Sequence, residues 1–163
     1  MKKHVKKVIV VFIMVCLFVT LYYMLCLMPH HSKDANRLKE EIPMLEKIDF
    51  VNCKYTKVNL DVKYGYAFEI QFSGKLMLSQ DYCNQIKKEY IWDRKKENLY
   101  IHDKHLDKSF KQFMDKGKYF YSQQLIESIT ERSENSMTKE YGYCLYFYFD
   151  GDYSLYFYYH RAL

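Results

Sequence analysis

At 163 residues the chain has room for one domain and not for two separate cores. Of its formal charge of +5, Lys2, Lys3, Lys6 and Lys7 supply four, and no acid precedes Asp34; Pro29 to Leu163 carries 21 basic and 20 acidic residues. That near-balance excludes a polyanion-binding stripe and, with it, nucleic acid as a partner.

The four lysines, residues 1–7, form a basic tail ahead of Val8 to Met28, 21 residues without a charge, of which 13 are Leu, Ile, Val or Phe. At about 1.5 Å per residue a helix of that length crosses one hydrocarbon core. Tyr22 and Tyr23 lie toward its end, where aromatic rings favour the interface. A cleaved signal peptide would have an apolar stretch of only about 7 to 15 residues and a small-residue cleavage site. Here "MLCLMPHH" has no Ala, Gly or Ser pair, and Tyr23, Met24 and Leu25 poorly suit a lipoprotein site at Cys26. The reading is an uncleaved transmembrane helix, residues 8–28. The lysines hold the N-terminus in the cytoplasm and place the rest outside.

Residues 29–47 read as a juxtamembrane linker with a short helix. Pro29-His30-His31 serves as spacer, and Ala35, Leu38, Ile42 and Leu45 share one helical face. Pro43 stops or kinks that helix near Ile42. Residues 48–163 then form one extracytoplasmic α+β domain, with a mainly antiparallel sheet packed by two to three helices.

From Val58 to Phe72 apolar and polar residues alternate strictly. A three-residue loop, Lys63-Tyr64-Gly65, would pair Val62 with Tyr66 and keep the apolar sets of both arms on one face. Ser79 caps a following helix whose Cys83, Ile86 and Tyr90 form a buried stripe, with Asp81 in its first turn and Lys87 and Lys88 in its last. Asn98 to His102 reads as a short strand. Leu106, Phe110, Phe113 and Met114 mark a second amphipathic helix, capped by Asp103 and ended by Gly117. Residues 119–131 read as strand, and "ERSENS" as a loop.

In the closing hairpin, 11 of the 20 residues from Tyr141 to His160 are Tyr or Phe. A loop of odd length, such as Phe149-Asp150-Gly151, puts Tyr143, Leu145, Phe147, Tyr153, Leu155, Phe157 and Tyr159 on a core face. Tyr146, Tyr148, Tyr156, Tyr158 and His160 then share the other face, a candidate contact surface of apolar rings with polar tips.

The lysine-led anchor, "FEIQFS" (Phe68 to Ser73), the helix before Trp92 and "FDGDYSLYFYY" (Phe149 to Tyr159) resemble a group of small, uncharacterised, membrane-anchored or exported bacterial proteins. Their common feature is an aromatic hairpin with an acidic turn near the C-terminus. The tail "HRAL" departs from the acidic ending of that group. The resemblance implies an α+β domain and no assigned activity. The excess of Lys over Arg, 21 to 4, with so much Tyr and only two Pro, also suggests an AT-rich bacterial genome.

Chemistry-bearing motifs are few. Asp150-Gly151-Asp152 resembles a metal-nucleotide DxD element, but no nucleotide-binding βα unit accompanies it, and Asp and Gly are turn residues. His102 and His105 flank the cap at Asp103 and share no helical face, so no metal is expected. There is no glycine-rich phosphate loop, GxSxG or HExxH. No cysteine pair has CxxC spacing; Cys53, Cys83 and Cys144 are three small core residues, or one disulfide and a free thiol. The sequence therefore leads to a non-enzyme without a cofactor. It would contact a protein partner at the cell envelope, or alternatively bind a small ligand or glycan through the tyrosine face.

Overall fold

The structure, a computed structural model, describes residues 2–63, 66–93, 106–116, 120–130 and 143–162. Helix α1, Lys2–Leu27, contains the apolar run up to Leu27, and none of the window that could cross a membrane is buried. Only Met28 and Pro29 separate it from strand β1, His30–Ser32. Helix α2, Ala35–Glu41, starts at Asp34, whose Oδ1 accepts from the Arg37 amide at 3.1 Å. It ends at Ile42 because Pro43 cannot continue it, and a 3₁₀ turn, Pro43–Lys47, follows.

Strands β2, Phe50–Lys63, and β3, Tyr66–Leu78, form the long hairpin. Ser79 caps α3, Gln80–Glu89, by accepting from the Tyr82 amide at 3.3 Å, with Cys83 and Ile86 buried as the periodicity predicts. Helix α4 spans Lys108–Asp115, β4 Phe120–Tyr121, α5 Gln123–Thr130, β5 Tyr143–Phe149 and β6 Ser154–Ala162. The six strands pair antiparallel in the order β1-β2-β3-β6-β5-β4, so the fold is α+β.

Helices cover both faces of this sheet. One face is built from Tyr55, Phe72, Leu76, Leu145, Phe147, Leu155, Phe157 and Tyr159, with Leu38, Ile42, Leu45, Ile48, Ile86 and Leu125 in the same core. Trp92 lies 5.0 Å from the Phe149 ring and donates from Nε1 to the Ile86 carbonyl, which brings α3 onto this side. Lys47 Nζ reaches the Ile129 carbonyl and brings α5. Within residues 29–47, expected as a juxtamembrane linker and short helix, β1 joins the sheet and Leu38, Ile42 and Leu45 join its core.

Gly74 is required by close packing. A Cβ there would sit 2.3 Å from the Lys54 carbonyl and 2.7 Å from Tyr55 Cβ.

Three local expectations are corrected. Lys63 pairs with Tyr66, not Val62 with Tyr66, so the connection has two residues, and Val58 faces Gln71 while Asn59 faces Ile70. Alternation alone cannot set this register, because both faces are buried and both tolerate apolar residues. Residues 123–130 form a helix where a strand is expected; Ser122 accepts from the Leu125 amide at 3.3 Å and starts it. The cap of α4 is Asp107. Asp103, the strand at 98–102, Gly117 and the loop at 131–136 lie outside the described residues.

Candidate functional site

The closing hairpin sorts its side chains as the aromatic pattern predicts, with Phe147 opposite Phe157 and Tyr148 opposite Tyr156. Its loop is longer than Phe149-Asp150-Gly151: Phe149 pairs with Leu155 and five residues intervene. Asp150 dictates this. Its Oδ1 accepts from the Asp152 amide at 2.9 Å and the Ser154 amide at 3.1 Å, with Gly151 at φ 85°. The acidic pair is a turn device, and one of its two carboxylates is occupied by the backbone. Tyr153, expected in the core, falls in this loop and is 42% exposed.

The second hairpin face is not open. Tyr148 and Tyr158 are fully buried, which corrects the expected contact surface. Phe110 of α4 lies 6.0 Å from the Tyr148 ring and 6.3 Å from Tyr158. Phe113 stacks on Tyr156 at 3.8 Å with an interplanar angle of 5°. The physical reason is reciprocal: α4 has an apolar stripe that needs a partner, and the tyrosine rings offer it apolar area. Tyr146, Tyr156 and His160 remain half-buried. Burial, then Asp150, pushes the Tyr156 phenol up. His160 Nε2 lies 3.8 Å from Glu69 Oε2. Cys144, opposite His160 in the ladder, has its thiol pushed up by burial.

Beside these rings lies a buried polar cluster that the sequence reading missed. Asp107 is 1% exposed. Its Oδ1 accepts from the Ser109 amide at 2.8 Å and the Phe110 amide at 3.3 Å, its Oδ2 from Thr56 Oγ1 at 3.0 Å, and its own amide donates to Ser73 Oγ at 2.7 Å. Because the Thr56 hydroxyl donates to the carboxylate, its oxygen accepts from His31 Nδ1 at 2.8 Å. His31 is therefore no spacer: it joins β1 to the cap of α4 through Thr56. Both carboxylate oxygens are occupied, and the cluster fixes α4 on the sheet. A "LDKSF" segment with Asp one residue ahead of the helix was the available signal; the burial partners were not.

Among the described residues no group of three His, Cys, Asp or Glu could hold a metal ion; His102, Asp103 and His105 lie outside them. All five cysteines are free thiols. Cys53 donates to the Lys33 carbonyl and Cys83 to the Asp152 carbonyl, so both serve as small core donors.

Among the described residues of the domain, the exposed aromatic side chains Phe120 and Tyr153 lie at the end of the strands far from α1. The Tyr153 carbonyl accepts from the Leu78 amide at 2.9 Å, at the β2 and β3 ends marked by the Phe50–Leu78 pair. Phe120 is 37% exposed, and its ring lies 4.0 Å from where a Cβ on Gly151 would stand. Lys87 Nζ sits 5.9 Å from the Tyr153 ring centroid and 5.4 Å from that of Phe149. Phe120 and Tyr153 thus flank the acidic turn, with a cation beside them.

Fold and surface together define an α+β domain joined directly to one N-terminal helix long and apolar enough to cross a membrane. No protein-family model matches the chain, and no curated protein or solved structure matches it.

Proposed function

We propose that the chain is a single-pass, membrane-anchored bacterial protein whose extracytoplasmic domain works by contact with an envelope or membrane protein, without catalysis. The observation that carries the reading is the junction: a 21-residue span, Lys7–Leu27, without a charge after its first residue, leads through two residues into the sheet. Such a domain is held at the bilayer surface and meets what lies there. The lysine-led N-terminus supports a cytoplasmic start. The glycan reading needed an open tyrosine face, which α4 covers.

The contact surface moves accordingly to the membrane-distal end, where Phe120 and Tyr153 flank Asp150 and Asp152. Exposed aromatic rings bordered by charge are the composition of interface anchors. A photo-crosslinking residue at Tyr153 or Phe120, in the full chain in its native membrane, should give discrete adducts. Exposed Lys54, on β2, should give none. Adducts from Lys54 but not from the distal residues would refute this surface, and no adduct from any position would refute contact as the function.

A further inference from the structure

The step from α1 to the sheet is too short and too stiff for a swinging tether. Met28 and Pro29 are the whole connection, and Leu27 to His30 is three Cα steps, roughly 11 Å even when fully extended. The Pro29 ring fixes its own φ and restricts Met28 before it. Beyond Pro29 the chain is pinned at once. His30, His31 and Ser32 pair with Lys57, Thr56 and Tyr55 of β2, and the His31 ring donates to Thr56 Oγ1. Lys57, in the same stretch, forms an ion pair with Glu41 at the end of α2.

A second attachment reaches back to the helix itself. Asn59 of β2 donates from Nδ2 to the Cys26 carbonyl at 2.9 Å, and α1 packs against β2. Cys26 lies in the last turn of α1, where backbone carbonyls have no partner within the helix. A carbonyl left unpaired beside hydrocarbon is costly, and Asn59 pairs this one from within the sheet. The two attachments lie on either side of the connection, the β1–β2 ladder after it and the Asn59 bond before it. One attachment leaves a swivel; the second removes it.

We propose that α1 and the sheet form one rigid joint, latched by Asn59, which holds the membrane-distal surface in one orientation and at one height over the bilayer. The proposal rests on the reading of α1 as a membrane span and of the domain as a contact module. Phe50 stands nine residues along β2 from Asn59, so the far end of the strand is about 30 Å from the latch. A swinging domain would sweep that length and meet partners at any level within it. A fixed one presents Phe120 and Tyr153 at a single level. The joint therefore selects a protein that is itself held in the membrane, with its contact at the matching height.

The test is pulsed electron paramagnetic resonance on the full chain in phosphatidylcholine–phosphatidylglycerol nanodiscs. Spin labels are attached through Phe18→Cys in α1 and Val51→Cys at the far end of β2, positions 65% and 74% exposed. Cys16, Cys26 and Cys144 are replaced by Ser, while Cys53 and Cys83 are buried and stay unlabelled. The joint predicts one narrow distance distribution. Asn59→Leu removes the latch together with a buried Oδ1 that has no partner among the described residues, so the domain should stay folded. Pro29→Gly loosens the connection without touching the sheet. Each substitution should widen the distribution, and Asn59→Leu in the native membrane should weaken photo-crosslinking from Tyr153. A broad distribution with the joint intact overturns the proposal, as does a narrow one that survives both substitutions together. Unchanged adducts in Asn59→Leu would show that the contact needs no fixed height. Relaxation of the Phe18→Cys label by oxygen rather than by an aqueous nickel chelate reports the span in the same sample. A label open to the chelate refutes the span and takes the inference with it, whereas a narrow distribution without any adduct refutes the contact reading and leaves the joint standing.

Discussion

Removing the Phe110 ring tests whether α4 closes the tyrosine face. Phe110 is fully buried and packs on both Tyr148 and Tyr158, so Phe110→Ala leaves a cavity bounded by aromatic rings. A Phe→Ala change in such a core costs about 3–5 kcal/mol, with the aromatic pairings included in that range rather than added to it. Against a total stability of about 5–15 kcal/mol, this is a large share. At a urea dependence of about 2 kcal/mol/M, the midpoint should fall by roughly 1.5–2.5 M. The assay is urea unfolding of the full chain in mild detergent, followed by Trp92 fluorescence. Trp92 packs on Phe149, on the opposite face of the sheet, so its transition reports the whole domain rather than the site of substitution. A midpoint within about 0.5 M of wild type, roughly 1 kcal/mol, would refute the packing of α4 on this face.

Replacing the cap, Asp107→Ala, removes a buried acceptor from two amides and from Thr56, and should cost about 1–3 kcal/mol by the same assay; a neutral result would contradict the anchoring role of the cluster. Gly74→Ala places a methyl against backbone at 2.3 Å and should destabilise by about 1–3 kcal/mol or more, because the contact is not with a flexible side-chain end. Burial pushes the phenols of Tyr55, Tyr121, Tyr156 and Tyr159 up. Their folded pKa values exceed the unfolded value of about 10, so their contribution is complete below that pH and is lost as pH climbs past it. The urea midpoint should therefore hold from pH 7 to about 9 and drop above about 10; a flat profile to pH 11 would sink this reading. With every thiol free, reductant should leave the midpoint unchanged, whereas a large fall would reveal a structural disulfide.

What the sequence made legible was what neighbouring residues decide. Ser79 with Asp81, Lys87 and Lys88 marks α3 because caps and end charges act within a turn. Pro43 ends α2 by its own missing amide. The odd-length loop sorted the closing hairpin's faces because period-2 alternation survives any change of loop length by two. What stayed hidden depended on what each surface meets. Tyr148 and Tyr158 carry hydroxyls and read as half-wet, yet their rings are buried by α4, whose Phe110 lies 38 and 48 residues upstream of them. The β2–β3 register was illegible because Val58 and Thr56 on one face, and Tyr55 and Cys53 on the other, are all buried, so alternation did not distinguish inside from outside. Helix α5 carries Leu125, Ile126 and Ile129, residues also at home in a strand; Ser122 three residues before Leu125 was the overlooked signal.

The most direct test of the central claim is topology in intact cells. Membranes are extracted with alkaline carbonate, and protease is applied to cells before lysis. The account predicts full-length protein in the extracted pellet and a domain cut away by external protease, leaving the lysine-led N-terminus and its helix behind. A released chain beginning just after Met28, or a domain protected from protease until lysis, would contradict it.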